Sequence, residues 1–280
     1  MQDKLVELTA VLPLIQNNQT IALGGMTIYR RPVAFVRALL QRESRPQNLT
    51  LLAFTAGLAS DMLVGGGCVS HTRTCYFGLE SFGLAPMFTK AVEDGRLTII
   101  EESEASIACG LRAAVGKLGF IPSRAWQGTD LFKVRPDVKT IIDPYSGETL
   151  TAFPAIEVDV AIIHVLKADR FGNAILGGNP TIDEMLSNEA KTVILTAEEV
   201  VEKLEGPVDL TGLPVTAVCY IPNGAWPTSC YPAYPLDGEE ILRYIDACHT
   251  GQFEAYIKQE FNAEPQSRRE IKRKKSEKSA

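Results

Sequence analysis

Glu101-Glu102-Ser103-Glu104 places three acids directly after the β-branched run LTII at 97–100. An acid at a strand-to-helix turn can point into a cleft, lose part of its hydration and acquire a raised pKa. It can then act as nucleophile or general base. The same acids also complement a helix dipole, with Ser103 as the cap. A second constellation is Gly24-Gly25-Met26 after TIAL at 20–23, followed by Arg30 and Arg31. Glycines there let backbone N–H groups approach a ligand, and the guanidiniums suit a carboxylate or phosphate. The alternatives are a tight turn and solvated arginines. GGMTIY is not G-x-G-x-x-G, and GxxxxGK[ST] does not occur.

A third segment, FIPSRAWQGTDL at 120–131, offers Arg124 as an anion holder or as a partner for Asp130. ADRFGN at 168–173 reads as a turn after the apolar run VDVAIIHV. PNGAWPTSCYPAYP at 222–235 suggests a rigid packing or partner surface. Other chemistries fall away. His71, His164 and His249 lack metal-ligand spacing, so no metal site is expected. There is no GxSxG elbow. Cys75 and Cys109 have the apolar surroundings of core thiols, and His164 that of a core histidine.

The elements that must position these residues alternate. Strand-like runs at 20–23, 49–54, 72–77, 97–100, 158–165, 192–196 and 215–221 are interleaved with helical patterns at 32–42, 85–94 and 103–118. This alternation predicts an α/β fold: an open, doubly wound, mostly parallel sheet flanked by helices. Residues 127–157, dense in turn formers, read as a long loop excursion. One domain over 1–260 and a disordered basic tail over 261–280 complete the expected organisation. The first sixteen residues read as an amphipathic helix, not a signal peptide.

Composition bounds the rest. Of 280 residues 45% are hydrophobic and 22% charged, enough apolar side chain for a substantial core. No run approaches the roughly 20 apolar residues of a membrane helix. Six cysteines without a CxxC pair point to reduced thiols and the cytoplasm. The last twenty residues hold seven Lys or Arg against three Glu; the total is −6, so the preceding body carries −10. That acidity argues against nucleic acid as the main ligand.

Five segments in order, TIALGGMTIYRRP, IIEESEASIACGLRAA, FIPSRAWQGTDL, DVAIIHVLKADRFGNA and GAWPTSCYPAYPLD, resemble the alpha-chain family of class I CoA transferases, of the type found in glutaconate CoA-transferase. Relatives usually show Gly-Gly-Phe where this chain has Gly24-Gly25-Met26. The resemblance implies assembly with a homologous CoA-transferase beta subunit, into a heterodimer or heterotetramer, and an acyl-CoA bound at their interface. It implies CoA as a substrate, a carboxylic acid as its acceptor, and no cofactor.

In the family the nucleophilic glutamate lies in a Ser-Glu-Asn-Gly-like motif of the beta chain. This sequence lacks that motif, and Ser187-Asn188-Glu189 scrambles its order. Gly24, Gly25, Met26, Arg30, Arg31, Ser103 and Arg124 would then bind substrate, for instance a dicarboxylic acyl-CoA such as glutaconyl-CoA, with Gly-Gly N–H groups on the oxyanion. Some relatives resemble steroid ring-opening hydrolases, whose alpha-chain glutamate aligns with Glu101 or Glu102; others are glutaconyl-CoA-type decarboxylases. A CoA-ester binding module without catalysis is the alternative from another class.

Overall fold

In the computed structural model, which describes residues 2–259, the β-branched runs become strands of one twisted sheet. Its members are β1 (Thr20–Leu23), β2 (Leu49–Leu52), β3 (Val69–Thr74), β4 (Thr98–Glu101), β8 (Val160–Asp169), β10 (Thr192–Val201) and β11 (Ala217–Tyr220), in the order β11-β10-β8-β1-β2-β3-β4. Every pairing along that path is parallel. β9 (Ala174–Ile175) returns antiparallel on β8. The run VAIIHV in β8 is buried on both faces, as a central parallel strand requires.

Helices cover both faces. α2 (Val33–Leu40), α3 (Leu58–Gly65), α4 (Pro86–Glu93), α8 (Gly238–His249) and α9 (Phe253–Lys258) build one core with Phe35, Leu39, Met62, Tyr244 and Ile257. α5 (Glu104–Val115) and α7 (Asp183–Glu189) build the other with Ile107, Leu111 and Leu186. The chain runs outward from β1 to β4 and then crosses back to β8 on the other side of β1. The reversal lies between β1 and β8, the place where open α/β sheets collect ligands at the carboxyl ends of their strands.

Residues 127–157 are not the loop excursion that their composition suggested. α6 (Leu131–Val134), β6 (Lys139–Ile142) and β7 (Thr149–Pro154) lie there. With β5 (Phe120–Ser123) the two strands form a separate antiparallel sheet, ordered β5-β7-β6. The turn formers Asp143, Ser146 and Gly147 are spent on one hairpin, where Gly147 N donates to Asp143 O at 2.9 Å. The N-terminal helix is also shorter than expected: α1 spans only Leu8–Val11 before Pro13 enters a 3-10 turn. Among the described residues no helix is long and apolar enough to cross a membrane. The basic tail lies outside the described residues.

Candidate functional site

The Gly24-Gly25 loop leaves β1 at the reversal point, and its hydrogen bonds run inward. Gly24 N donates to Ile162 O at 2.9 Å, Gly25 N to both oxygens of Asp183 at 3.1 and 3.2 Å, and Met26 N to Tyr29 O at 2.9 Å. Arg30 donates to Asp183 at 2.5 Å, to His164 O at 2.5 Å and to Asn179 O at 3.0 Å. Arg31 donates to Leu23 O, Gly24 O and Thr55 O. Both arginines are fully buried, and burial depresses Arg31 to about 10.

These groups, expected on substrate, are bonded within this chain. The three N–H donors and both guanidiniums hold the loop together, and Met26 alone of the set stays partly open. The glycines serve close packing. A Cβ on Gly25, at φ +75°, would sit 2.4 Å from Arg30 O, and one on Gly24 2.9 Å from the Asp183 carboxylate. Thr27 (φ +40°), Arg30 (φ +51°) and Thr181 (φ +50°) all adopt left-handed backbone around this knot. For a β-branched threonine that is an outlier that surrounding contacts must hold.

At the end of β4 the acids part company. Glu101 is exposed. Glu102 is buried between two cations, with Arg73 Nε and Arg135 Nη1 each 2.8 Å from its Oε1. Ser103 caps α5 by accepting from Ser106 N at 3.2 Å, and its own N–H donates to Ser106 Oγ at 2.7 Å. Its Oγ also accepts from Trp126 Nε1 at 2.7 Å, so the hydroxyl expected on substrate is used in the cap. Glu104 opens the helix as a dipole-complementing acid.

Parallel register sets Thr74 of β3 against Glu101. The next residue, Cys75, donates its thiol to Phe54 O at 2.8 Å; burial, with Glu104, Glu102 and Glu101 nearby, pushes it up to about 11. It stays a thiol at neutral pH. Thr55, Tyr76 and Glu101 thus stand on the carboxyl-end rim of β2, β3 and β4. Arg124 is elsewhere: it is three-quarters exposed and pairs with Glu148, while Asp130 pairs with Lys133.

A further polar cluster lies below the 222–235 segment. Buried His164 bonds Thr196 Oγ1 at 2.9 Å through Nδ1 and Glu198 Oε1 at 2.7 Å through Nε2. Glu198 also accepts from Tyr234 OH at 2.5 Å and from Asn223 N at 2.6 Å, below a cleft of about 670 Å³. Its carboxyl is held below the usual range by the His164 and Tyr234 bonds against the cost of burial. Cys230 completes a group of three metal-capable ligands. Both His164 nitrogens and the Glu198 carboxylate have partners within the protein, and burial pushes the Cys230 thiol up to about 12.

A larger cleft, about 1140 Å³, is lined by the end of α2, the loops that follow α2 and α3, and α9. Its arginines cap carbonyls: Arg42 bonds Leu12 O and Arg45 bonds Leu40 O. Sequence reasoning missed Asp183, Arg135 and Glu198. Asp183 holds Gly25, Arg135 holds Glu102 and Glu198 holds His164, which lie 158, 33 and 34 residues away, and no local motif announces them.

A family model described as Coenzyme A transferase matches residues 8–222. The chain is 34% identical over 243 residues to the A subunit of 3-oxoadipate CoA-transferase from Pseudomonas knackmussii, covering 85% of each chain. It is 32% identical over 269 residues to the cholesterol ring-cleaving hydrolase IpdA subunit of Rhodococcus jostii, covering 90% of this chain and 89% of that one. The crystal structure of glutaconate coenzyme A-transferase from Acidaminococcus fermentans superposes with a TM-score of 0.83 at 31% identity, over 91% of this chain and 87% of that one.

Proposed function

The chain belongs to the coenzyme A transferase family, and from that premise we propose that it is the alpha subunit of a two-subunit enzyme moving CoA from an acyl-CoA to a carboxylic acid. The substrate class is a dicarboxylic acid or its CoA thioester, as the names of the relatives suggest. The observation that carries the reading is the division of labour at the carboxyl-end rim. Glu101 stands exposed there, while Glu102 is held in place by Arg73 and Arg135.

The partner supplies the nucleophilic carboxylate. Its oxygen attacks the thioester carbonyl and CoA leaves as thiolate, giving a mixed anhydride. The thiolate then attacks the enzyme's own acyl carbon and releases the free acid, leaving an enzyme–CoA thioester that an acceptor carboxylate takes over in reverse. CoA is substrate throughout, and no metal or redox cofactor enters. Thr55, Tyr76 and Glu101 form this chain's wall of the site.

The test is to co-purify the chain with its partner and incubate the complex with succinyl-CoA, then offer glutaconate or 3-oxoadipate. A mass increase of one CoA on the partner, discharged by the acceptor, is the expected result. A CoA adduct on this chain, or turnover by this chain alone, would overturn the reading. A second reading is favoured by the same exposed Glu101 and by the hydrolase relative: Glu101 as the general base that activates water on a cyclic CoA ester.

A further inference from the structure

The geometry points to Arg135 as a positioning residue for the Glu101 carboxylate, with the β5-β7-β6 sheet and its loops as the body that carries it. This rests on the reading that Glu101 lines the acyl-CoA site. β4 is a four-residue strand at the sheet edge, and three of its four residues are exposed. A short, solvated edge of that kind opens readily unless it is tied.

Three consecutive residues at its end are tied from the side of the small sheet, and Glu102 is held by Arg73 of β3 as well. Arg135 Nη1 donates to the Glu101 carbonyl at 2.8 Å and to the Glu102 carboxylate at 2.8 Å, and Trp126 Nε1 donates to Ser103 Oγ at 2.7 Å. Arg135 is itself fixed. It forks onto Asp137 through Nε and Nη2, at 2.8 Å each, and its side chain is only 6% exposed. Trp126 is held edge-on by Phe132 and Phe153, with centroids 5.9 and 5.1 Å away.

The start of α5 does not need this apparatus, because Ser103 and Ser106 already complete the capping box. None of these bonds uses the Glu101 carboxylate. The clamp fixes where that group stands and leaves its oxygens free to act. A carboxylate in a reacting site must be held to within about 0.5 Å, and a misplacement of about 1 Å can cost about a hundredfold in rate.

The test uses the complex with its partner, assayed with the acceptor that discharges its CoA adduct, and with thermal midpoints measured alongside. Arg135→Lys keeps a cation beside Glu102 but cannot fork onto Asp137 while also bonding the Glu101 carbonyl. Its kcat is expected to fall about tenfold or more with KM within about twofold. Trp126→Phe keeps the ring between Phe132 and Phe153, loses the N–H, and covers the case in which the lysine variant fails to fold; it should lower kcat in the same sense.

The deciding readout is the Glu101→Gln background. A residue that acts through Glu101 has nothing left to act on there, so neither variant should lower kcat further. Losses that multiply in that background would mark a merely structural role and overturn the proposal. So would full turnover in both variants when Glu101→Gln alone is impaired. If Glu101→Gln itself is silent, the placement of Glu101 in the site fails and this inference falls with it.

Discussion

Replacing Glu101 by glutamine removes an exposed charge and nearly preserves its shape, so the chemistry changes while the fold is left in place. If the partner holds the nucleophile, the variant complex should lose turnover only moderately and still form the enzyme–CoA thioester, read by mass. If Glu101 is the general base of a hydrolase, turnover should drop about a hundred- to ten-thousand-fold. Glu102→Gln asks a different question. It leaves the partly exposed Arg73 and the buried Arg135 without their shared anion, although Arg135 keeps Asp137, so the loss should lie below the about 3–5 kcal/mol of an uncompensated buried pair. A clear fall in thermal midpoint is expected, and an unchanged midpoint would show that the pair is dispensable. The segment Glu101–Glu104 was legible as chemically important from its place after a strand. Which acid faces out was not legible, because that depends on Arg135, far along the chain. The bonding of the Gly24-Gly25 loop was not legible for the same reason: the Asp183 that takes the Gly25 N–H lies 158 residues on.

Asp61 shows how an element boundary is held by a neighbouring element. α4 begins at Pro86 with no side-chain cap of its own. Its orphan N–H groups at Met87 and Phe88 donate to Asp61 on α3 at 3.3 and 2.7 Å, and Tyr244 OH on α8 donates to the same carboxylate at 2.7 Å. Asp61 is fully buried, and burial raises it to about 6 despite these bonds. The folded state therefore binds a proton more tightly than the unfolded state. The penalty this group places on folding builds as pH rises from about 4 and is full above about 6. Two pH units correspond to roughly 3 kcal/mol. Asp61→Asn removes the titration and keeps an acceptor for α4. Its midpoint relative to the parent should thus be higher at pH 7.5 than at pH 4.5. A difference that stays constant with pH would remove Asp61 as the source. At this scale the strands of the large sheet were legible because β-branched runs need only local pattern. The small sheet was not: KTII and TLTAFP are short, and the turn formers around them dominate the composition. Strand order follows from pairings between distant segments, which no local pattern encodes.

Charge is the property of the whole molecule that bears most on its ligand. The body before the last twenty residues carries −10, and a CoA ester brings several phosphate charges of the same sign. The arginines nearest the two strand-end loops are engaged and do not offset them. Arg30 and Arg31 hold the glycine loop, Arg73 and Arg135 hold Glu102, and Arg124 pairs with Glu148 on the surface. Glu101 does not line the 1140 Å³ cleft, whose Arg42 and Arg45 bond backbone carbonyls, Arg45 also forking onto Glu254. A body of net negative charge repels a polyanion over a Debye length of about 8 Å at physiological salt. On the proposed reading, a positive cradle for CoA would come from the partner subunit. Tyr145 in the β6–β7 turn is 97% exposed and Ile142 at the end of β6 is 59% exposed. The expected outcome is that calorimetry with acetyl-CoA detects no binding by the isolated chain at millimolar ligand. The co-expressed complex should sediment as one hetero-oligomer and bind the same ester with an affinity that weakens as salt is raised. Tight binding of acetyl-CoA by the lone chain would instead make it a self-sufficient CoA-ester receptor, and the requirement for a cationic partner would be lost.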